Sequence, residues 1–377
     1  MKISANRDDL LKPLQQIVGV VERRQTLPIL ANVLITLKDN MLTFTATDLE
    51  VELRTQTVVD GSGEIEFTLP ARKLMDICKA LPEGAAIAIE VEGDKAVLRS
   101  GRGRYTLGML PAQDYPSIEP PKASESFVLP IGVMKRLVDK TQFAMAQQDV
   151  RYYLNGLLLE VRSGRVRAVA TDGHRLALCD AAFDQETAMD IQVILPRKAV
   201  IELGRLMHDS DVEAKFEISN SHLRVHLGDS SFTTKLIDGR FPDYERVMPS
   251  GHAELVLADK DELKQALVRT AILSNEKYRG IRFRLSKGVA HLQAHNHEQD
   301  EAEEEVEVDY QGSEMTIGFN VGYLLDVLAV IDGEQVQMSV IDSNSSTLLT
   351  PKGSSECRYV AVSYTHLTLP TIVRECG

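Results

Sequence analysis

Between Tyr152 and Val161 the chain carries a β-branched and aliphatic run of strand length; Ser163-Gly164 then supplies a hairpin turn, and Val166 to Ala170 alternates as a half-buried strand does. Thr171, Asp172, Gly173, His174 and Arg175 follow directly, and so dense a polar cluster between two apolar runs is either a site or a tight turn. Helical periodicity appears at Arg7 to Ile17, Gly132 to Met145 and Asp259 to Leu273, each ahead of an aliphatic strand, at Leu27 to Leu37, Tyr152 to Val161 and Tyr278 to Leu285. Further helices are predicted at Ala71 to Leu81, Pro196 to Met207 and Asn320 to Ile331, and alternating strands such as Arg104 to Leu110 and Ser231 to Ile237 close the units.

The same order recurs three times. Ala46-Thr47-Asp48 returns as Ala170-Thr171-Asp172 and, degraded, as Ala294-His295-Asn296, so positions 48, 172 and 296 lie at equal intervals of 124 residues. Leu69-Pro70-Ala71-Arg72-Lys73 and Leu195-Pro196-Arg197-Lys198 open two of the second helices with proline where a first helical position suits it. Boundaries fall in the loop Ser117 to Ser126, with Pro120-Pro121, and around Pro249-Ser250-Gly251. Each unit then holds two helices and roughly eight strands joined by hairpins such as Glu92-Gly93-Asp94, an α+β domain with antiparallel sheets. A threefold repeat is equally compatible with a duplicated scaffold that carries no site.

A length of 377 residues with 44% hydrophobic content supports two or three domains, each with its own core. The start, MKISANRDDLL, has charges where a signal peptide needs an apolar core, and no apolar run reaches the length of a membrane span, which predicts a cytoplasmic protein without a membrane partner. Cys78, Cys179, Cys357 and Cys376 are far apart and form no CxxC pair, so they are expected to be reduced and structural rather than a disulfide framework or zinc site.

The net charge of −13 argues against a nucleic-acid partner until its distribution is read. Lys12 to Arg24, Ile131 to Gln148, Ala71 to Ala80 and Arg197 to Met207 are each +2, Asp261 to Arg279 is +1, and only Asn320 to Ile331 is negative. The acid is concentrated elsewhere, above all in Glu298 to Asp309 with eight carboxylates and no base. One basic helix is usually a solvated face; five in so acidic a chain point to a surface that attracts phosphates. No helix-turn-helix, zinc finger or RNA-binding aromatic motif accompanies them, so contact would be with the backbone and non-specific.

The stretches RYYLNG, ATDGHRLA, KLIDGRFPDY, ILSNEKYRG and EQDEAEEE together resemble the bacterial β sliding clamp family, the processivity factor of the replicative DNA polymerase, from Met1 to about Val360. The resemblance implies three repeated domains of the DNA clamp fold, at residues 1–120, 127–248 and 253–362, and a head-to-tail dimeric ring of six domains threaded by duplex DNA. Geometry agrees: a domain of about 120 residues approximates a sphere roughly 35 Å across, so three in a ring leave a hole of only ~5 Å while six leave ~35 Å for a duplex roughly 20 Å wide. The implied partners are a second copy of the chain, double-stranded DNA without sequence preference, DNA polymerase III, the clamp loader and other proteins with a short clamp-binding motif. No cofactor is implied.

By the same resemblance the DNA-facing candidates are Arg24, Arg72, Lys73, Gln148, Tyr152, Tyr153, Arg197, Lys198, Arg205 and Arg279. The dimer contact would set Lys73, Ile77, Arg102, Arg104, Tyr105 and Leu107 of one copy against Ile272, Leu273, Glu298, Glu301 and Glu304 of the other, by edge-strand pairing with opposite charges. A hydrophobic groove for client peptides would use Leu154, Leu176, Pro242 and Val247 as apolar walls. Thr171, Gly173, His174, Arg175, Arg246, Asn320, Tyr323, Ser346 and Val360 complete it, the polar ones orienting the peptide backbone. The first repeat has Thr47-Asp48-Leu49, so the fold does not require Gly-His-Arg at this turn, which favours a site over a bare turn. Family members end soon after the Tyr359-Val360 position, whereas this chain runs on to Gly377. Residues 363–377 therefore read as a frameshift, fusion or assembly artefact. As a native tail they would place Leu367 and Leu369 in the groove or leave it short of a wall, with weakened peptide binding.

Three other readings compete. Asp172 and His174 make an acid/base pair conceivable, but no nucleophile elbow, P-loop or carboxylate pair accompanies them, so no enzyme is expected. His291, His295 and His297 would share one face of a strand beside Glu298, as a metal site requires, but the repeat makes them surface histidines. A static, non-specific DNA-binding scaffold would hold linear and circular DNA alike.

Overall fold

The computed structural model of the chain describes residues 2–21, 27–61, 63–118, 122–183, 190–207, 211–249 and 251–363. Among them are helices α1 Arg7–Ile17, α2 Ala71–Ala80, α3 Ile131–Thr141, α4 Arg197–Leu206, α5 Lys260–Ala271 and α6 Val321–Val330, with 24 strands in three sheets. Arg24, Pro120-Pro121, Ser250, Leu367, Leu369 and Cys376 lie outside the described residues.

Local chemistry sets the helix boundaries. Asp259 accepts from the Glu262 N–H at 2.9 Å to open α5, and Asn320 accepts from the Gly322 N–H at 2.9 Å to open α6. Pro70 and Pro196 end strands rather than opening helices: α2 begins at Ala71 as expected, and α4 at Arg197, one residue after the expected Pro196. Two expected strands start late as well. Pro28, with φ fixed and no N–H to give a ladder, opens a 3-10 turn Pro28–Ala31 before strand Asn32–Lys38. The run from Tyr152 likewise spends Tyr152–Leu154 in a 3-10 turn, where Asn155 and Asp149 exchange amide and carbonyl hydrogen bonds at 2.9 and 2.8 Å.

The chain divides into two compact units, one of residues 1–132 and 201–236, the other of 133–200 and 237–377. The first holds a four-stranded sheet and an eight-stranded sheet; the second is built on a twelve-stranded sheet. The repeat is visible in the strand order. In each copy four antiparallel strands are arranged fourth, first, second, third: Asn32–Lys38, Met41–Thr47, Val51–Val58 and Glu64–Pro70; Gly156–Arg162, Gly164–Thr171, Arg175–Phe183 and Ile191–Pro196; Gly280–Ser286, Val289–His295, Glu301–Asp309 and Met315–Asn320. In the second unit the strand Arg175–Phe183 pairs with Cys357–Ala361, and through that seam one four-stranded set joins the other eight strands of the sheet. An equivalent seam in the first unit pairs Val51–Val58 with Ser230–Lys235.

The cysteine expectation is corrected here. Cys179 and Cys357 stand directly opposite each other across the second unit's seam and form a disulfide, although 178 residues separate them in sequence. Spacing along the chain carries no information about a pairing that depends on which strands meet. Cys78 is free and buried, and burial pushes its thiol up to about 11.

Candidate functional site

The polar cluster that follows Gly164–Thr171 is first of all a turn, and the turn is shared by the repeats. The Asp172 carboxylate accepts from the His174 and Arg175 N–H groups at 2.9 and 3.0 Å; Asp48 does the same for Glu50 and Val51 at 2.9 and 2.7 Å. Thr171 donates to the Arg175 carbonyl and accepts from the Gly173 N–H, as Thr47 does with Val51 and Leu49. Asn296 uses its side-chain oxygen on the Glu298 and Asp300 N–H groups. The triplet recurs because a short side chain must close each turn. Gly173 holds φ 89°, and the first repeat forces Leu49 into φ 79° at the same place.

What the second turn adds is Gly-His-Arg. The Arg175 guanidinium bonds Asp172 at 3.0 Å, the Phe143 carbonyl at 2.8 Å and the Asp326 carboxylate, and lies over the rings of Phe143 and Tyr323 at 5.4 and 5.0 Å. With three of its five N–H donors so engaged, Arg175 helps to build the turn. His174 stacks on Tyr323 with ring centroids 6.4 Å apart, and its carbonyl accepts from the Val362 N–H at 3.2 Å. Asn320 caps α6, three residues ahead of Tyr323. Burial, with Asp172 nearby, raises the Tyr323 phenol above its usual range.

Of the four expected apolar walls, Leu176 and Val247 share one cluster, while Leu154 and Pro242 are not among its residues. Leu176, Val247 and Val360 pack with Leu158, Val169, Leu178, Ile194, Phe241, Tyr244 and Val362. They differ from expectation in exposure: Leu154, Leu176 and Val360 are at most 1% exposed, a packed floor rather than an open slot. Pro242 and Ser346 are half-buried, and Arg246 is exposed and paired with Asp243 at 2.8 Å.

Beneath the cluster lies a buried polar network that sequence reading missed. Arg167, 4% exposed, bonds both Asp180 oxygens at 2.5 and 2.9 Å and the Tyr244 hydroxyl at 3.0 Å; Tyr244 donates to Glu160, and Arg358 also reaches Asp180 at 2.9 Å. Burial and the Glu160 carboxylate push the Tyr244 phenol up to about 12. For Arg167 burial works against the charge, yet the Asp180 and Tyr244 bonds outweigh it and raise its pKa. This network fixes the 3-10 turn Tyr244–Val247, and with it Val247.

Of the basic candidates in the first unit, Lys73 is exposed, whereas Arg72 is half-buried with a donor on the Val21 carbonyl at 2.8 Å. Arg205 is exposed but bonded to Glu202 at 2.9 Å and to the Gln15 carbonyl at 3.0 Å. In the second unit Gln148 and Arg279 are exposed at left-handed φ of 57° and 47°, Tyr152 is 58% exposed and edge-on to Tyr153 at 5.8 Å, and Arg197 reaches the Met145 carbonyl at 3.2 Å. Lys198 is half-buried.

Among the described residues, two strands with an unpaired side carry the expected interface residues. Gly103–Gly108 ends the four-stranded sheet of the first unit, with Arg104 and Tyr105 exposed and Ile77 half-buried on α2. Leu107 is 9% exposed and turns into its own core, not outward as expected. In the second unit Glu301–Asp309 pairs along one side with Val289–His295 but on the other only at Val308 and Asp309, which leaves Glu301 to Glu307 unpaired there. Beside it Ile272 is 74% exposed, and Leu273 is half-buried. Glu298 and Glu301 are exposed, but Glu304 is already engaged by Arg269 of its own chain at 2.6 Å.

Three models of the DNA polymerase III beta subunit match in succession: the N-terminal domain at residues 1–119, the central domain at 128–243 and the C-terminal domain at 245–365. The chain belongs to the DNA polymerase III beta subunit family. A protein named beta sliding clamp from Pseudomonas aeruginosa is 52% identical over 363 residues, 96% of this chain and 99% of that one, and its Escherichia coli K12 counterpart is 47% identical over the same shares. The crystal structure of the Pseudomonas aeruginosa sliding clamp bound to griselimycin superposes with a TM-score of 0.93 at 52% identity, covering 96% and 99% of the two chains. The Caulobacter crescentus pol III beta structure does so at 0.91 with 38% identity, covering 96% and 99%.

In this beta subunit chain the three histidines separate. His291 pairs with Glu305 at 3.1 Å, while His295 and His297 line a hollow of about 430 Å³ with Tyr278, Arg282, Gly280 and Gly318. Among the described residues no group of three or more His, Cys, Asp or Glu is placed to hold a metal. No helix among them is long and apolar enough to cross a membrane.

Proposed function

We propose that this chain is a processivity clamp: two copies close head to tail into a ring around duplex DNA and tether DNA polymerase III, the clamp loader and other proteins that carry a short binding motif. The observation that carries this reading is family likeness across 96% of the chain, with a TM-score of 0.93 to a sliding clamp. The two open edges support the closure. One carries Arg102, Arg104 and Tyr105, the other Glu298, Glu301 and exposed Ile272, and opposite charges on two unpaired strands favour a heterologous contact that closes after two copies.

The repeats correspond to domains at residues 1–120, 127–248 and 253–362. Lys73, Gln148, Tyr152, Tyr153, Lys198 and Arg279 face the DNA, with Arg72, Arg197 and Arg205 as charges held in place by backbone carbonyls, and Arg24 completes the set. Weak phosphate contacts let the ring slide, while closure around the duplex keeps a tethered polymerase at high effective concentration. The groove around Leu176, Pro242, Val247 and Val360, with His174 and Tyr323 at its rim, receives client peptides; Arg175 holds it in shape. The protein works without catalysis, in the cytoplasm.

Retention on DNA tests the reading. Protein loaded on nicked circles should remain through a high-salt wash and leave within minutes of linearisation, with no dependence on base sequence. Equal retention on circles and linear fragments would identify a static scaffold instead.

A further inference from the structure

The seam between Arg175–Phe183 and Cys357–Ala361 is where the client groove and the disulfide meet. Leu176 faces Val360 across it, and three residues along, roughly 10 Å, Cys179 faces Cys357. In the first unit's seam the equivalent position is Thr55, 124 residues before Cys179, and it faces Ser230 with the two hydroxyls 3.1 Å apart. One seam thus carries a hydroxyl pair that can only hydrogen-bond, the other the sulfur counterpart that can be covalently closed. Asp180 flanks the cystine, its N–H on the Glu356 carbonyl at 2.8 Å and its carboxylate on Arg358 at 2.9 Å, so the end of the last strand is already positioned for closure.

We propose that Cys179 and Cys357 are a reversible redox modification site that latches the client groove. In the open form both are thiols. Two S–H bonds break and one S–S bond forms, and the two protons and two electrons pass to a small-molecule disulfide such as oxidised glutathione, whose own S–S bond breaks and which leaves as two thiols. Both cysteines are at most 1% exposed, so exchange in either direction requires the end of Cys357–Ala361 to peel from its neighbour. The closed form ties the strand bearing Val360, and Val362 just beyond it, to the strand bearing Leu176, and so preorganises the groove. The latch rests on the groove reading only for its effect on clients; the cross-link and its effect on the seam stand apart from it.

The test uses the full chain with its four cysteines, equilibrated in reduced or oxidised glutathione. Mass spectrometry should show a Cys179–Cys357 linked peptide only in the oxidised sample, with amide exchange in Cys357–Ala361 slowed about tenfold. A labelled peptide carrying a short clamp-binding motif, glutamine followed by leucine and phenylalanine, should bind the oxidised form about threefold more tightly. Cys179→Thr combined with Cys357→Ser, which copies the first unit's seam, should behave as the reduced form in both buffers. No linked peptide after prolonged oxidation of the native protein, or a linked protein with the exchange and affinity of the reduced one, overturns the proposal. Slowed exchange with no peptide binding by either form upholds the latch and removes the peptide reading of the groove.

Discussion

Leu176 and Val360 face each other across the strand pair that joins two sets of strands in the second unit, one 1% exposed and the other fully buried. They come from the two separate chain segments of that unit, so every side chain packed on them reports on the seam. Truncating Leu176→Ala removes several buried methyl-bearing carbons and should cost about 3 kcal/mol of stability, read from urea unfolding at unchanged slope. The same variant should bind client peptide at least several-fold more weakly below its unfolding transition. Unchanged affinity would remove Leu176 from the groove.

Ile272 behaves oppositely, being 74% exposed at the end of α5. Ile272→Ala with Leu273→Ala should alter the stability of the isolated chain by only about 0.5 kcal/mol per site, yet yield monomers in sedimentation velocity at micromolar concentration. A dimer of undiminished size would place the contact elsewhere.

Arg167 is the strongest single test of the buried network. Arg167→Met removes both bonds to Asp180, leaving it Arg358 alone of the two close guanidinium partners, and the bond to the Tyr244 hydroxyl, and should cost about 3 kcal/mol, whereas Tyr244→Phe, which removes one hydroxyl, should cost about 1 kcal/mol. Thermal unfolding of the two variants checks the ratio. Similar losses would mean that the hydroxyl and not the charge fixes the Tyr244–Val247 turn.

Acid stability should show the loop between Asp149 and Tyr153. The hydrogen bond from Arg151 to Asp149, 2.8 Å between Nη2 and Oδ2, holds that carboxyl down at about 2 against an ordinary 3.8, with burial opposing. A depressed folded pKa contributes stability that is complete above pH 4 and lost as pH falls towards 2. After discounting for solvent screening the contribution is about 1 kcal/mol. Asp149→Asn should flatten that part of the stability profile; an identical profile in both proteins would assign the acid sensitivity to other pairs, such as Glu217 with His226 and Lys215.

The sequence by itself determined what depends on local order: helix and strand periodicity, the threefold interval that places Asp48, Asp172 and Asn296 at equivalent turns, the basic bias of the helices and the acidic run at Glu298 to Asp309. Short-range rules suffice there, because a capping side chain or an alternating face needs only near neighbours. Tertiary structure alone decided everything that depends on which strands become adjacent. It set Cys179 opposite Cys357, buried Arg167 among Asp180, Tyr244 and Glu160, tied Arg175 to Asp172, Phe143 and Asp326, and turned Leu107 inward. Sheet order is chosen by the burial of whole faces, and partners brought together over more than a hundred residues leave no mark in local spacing.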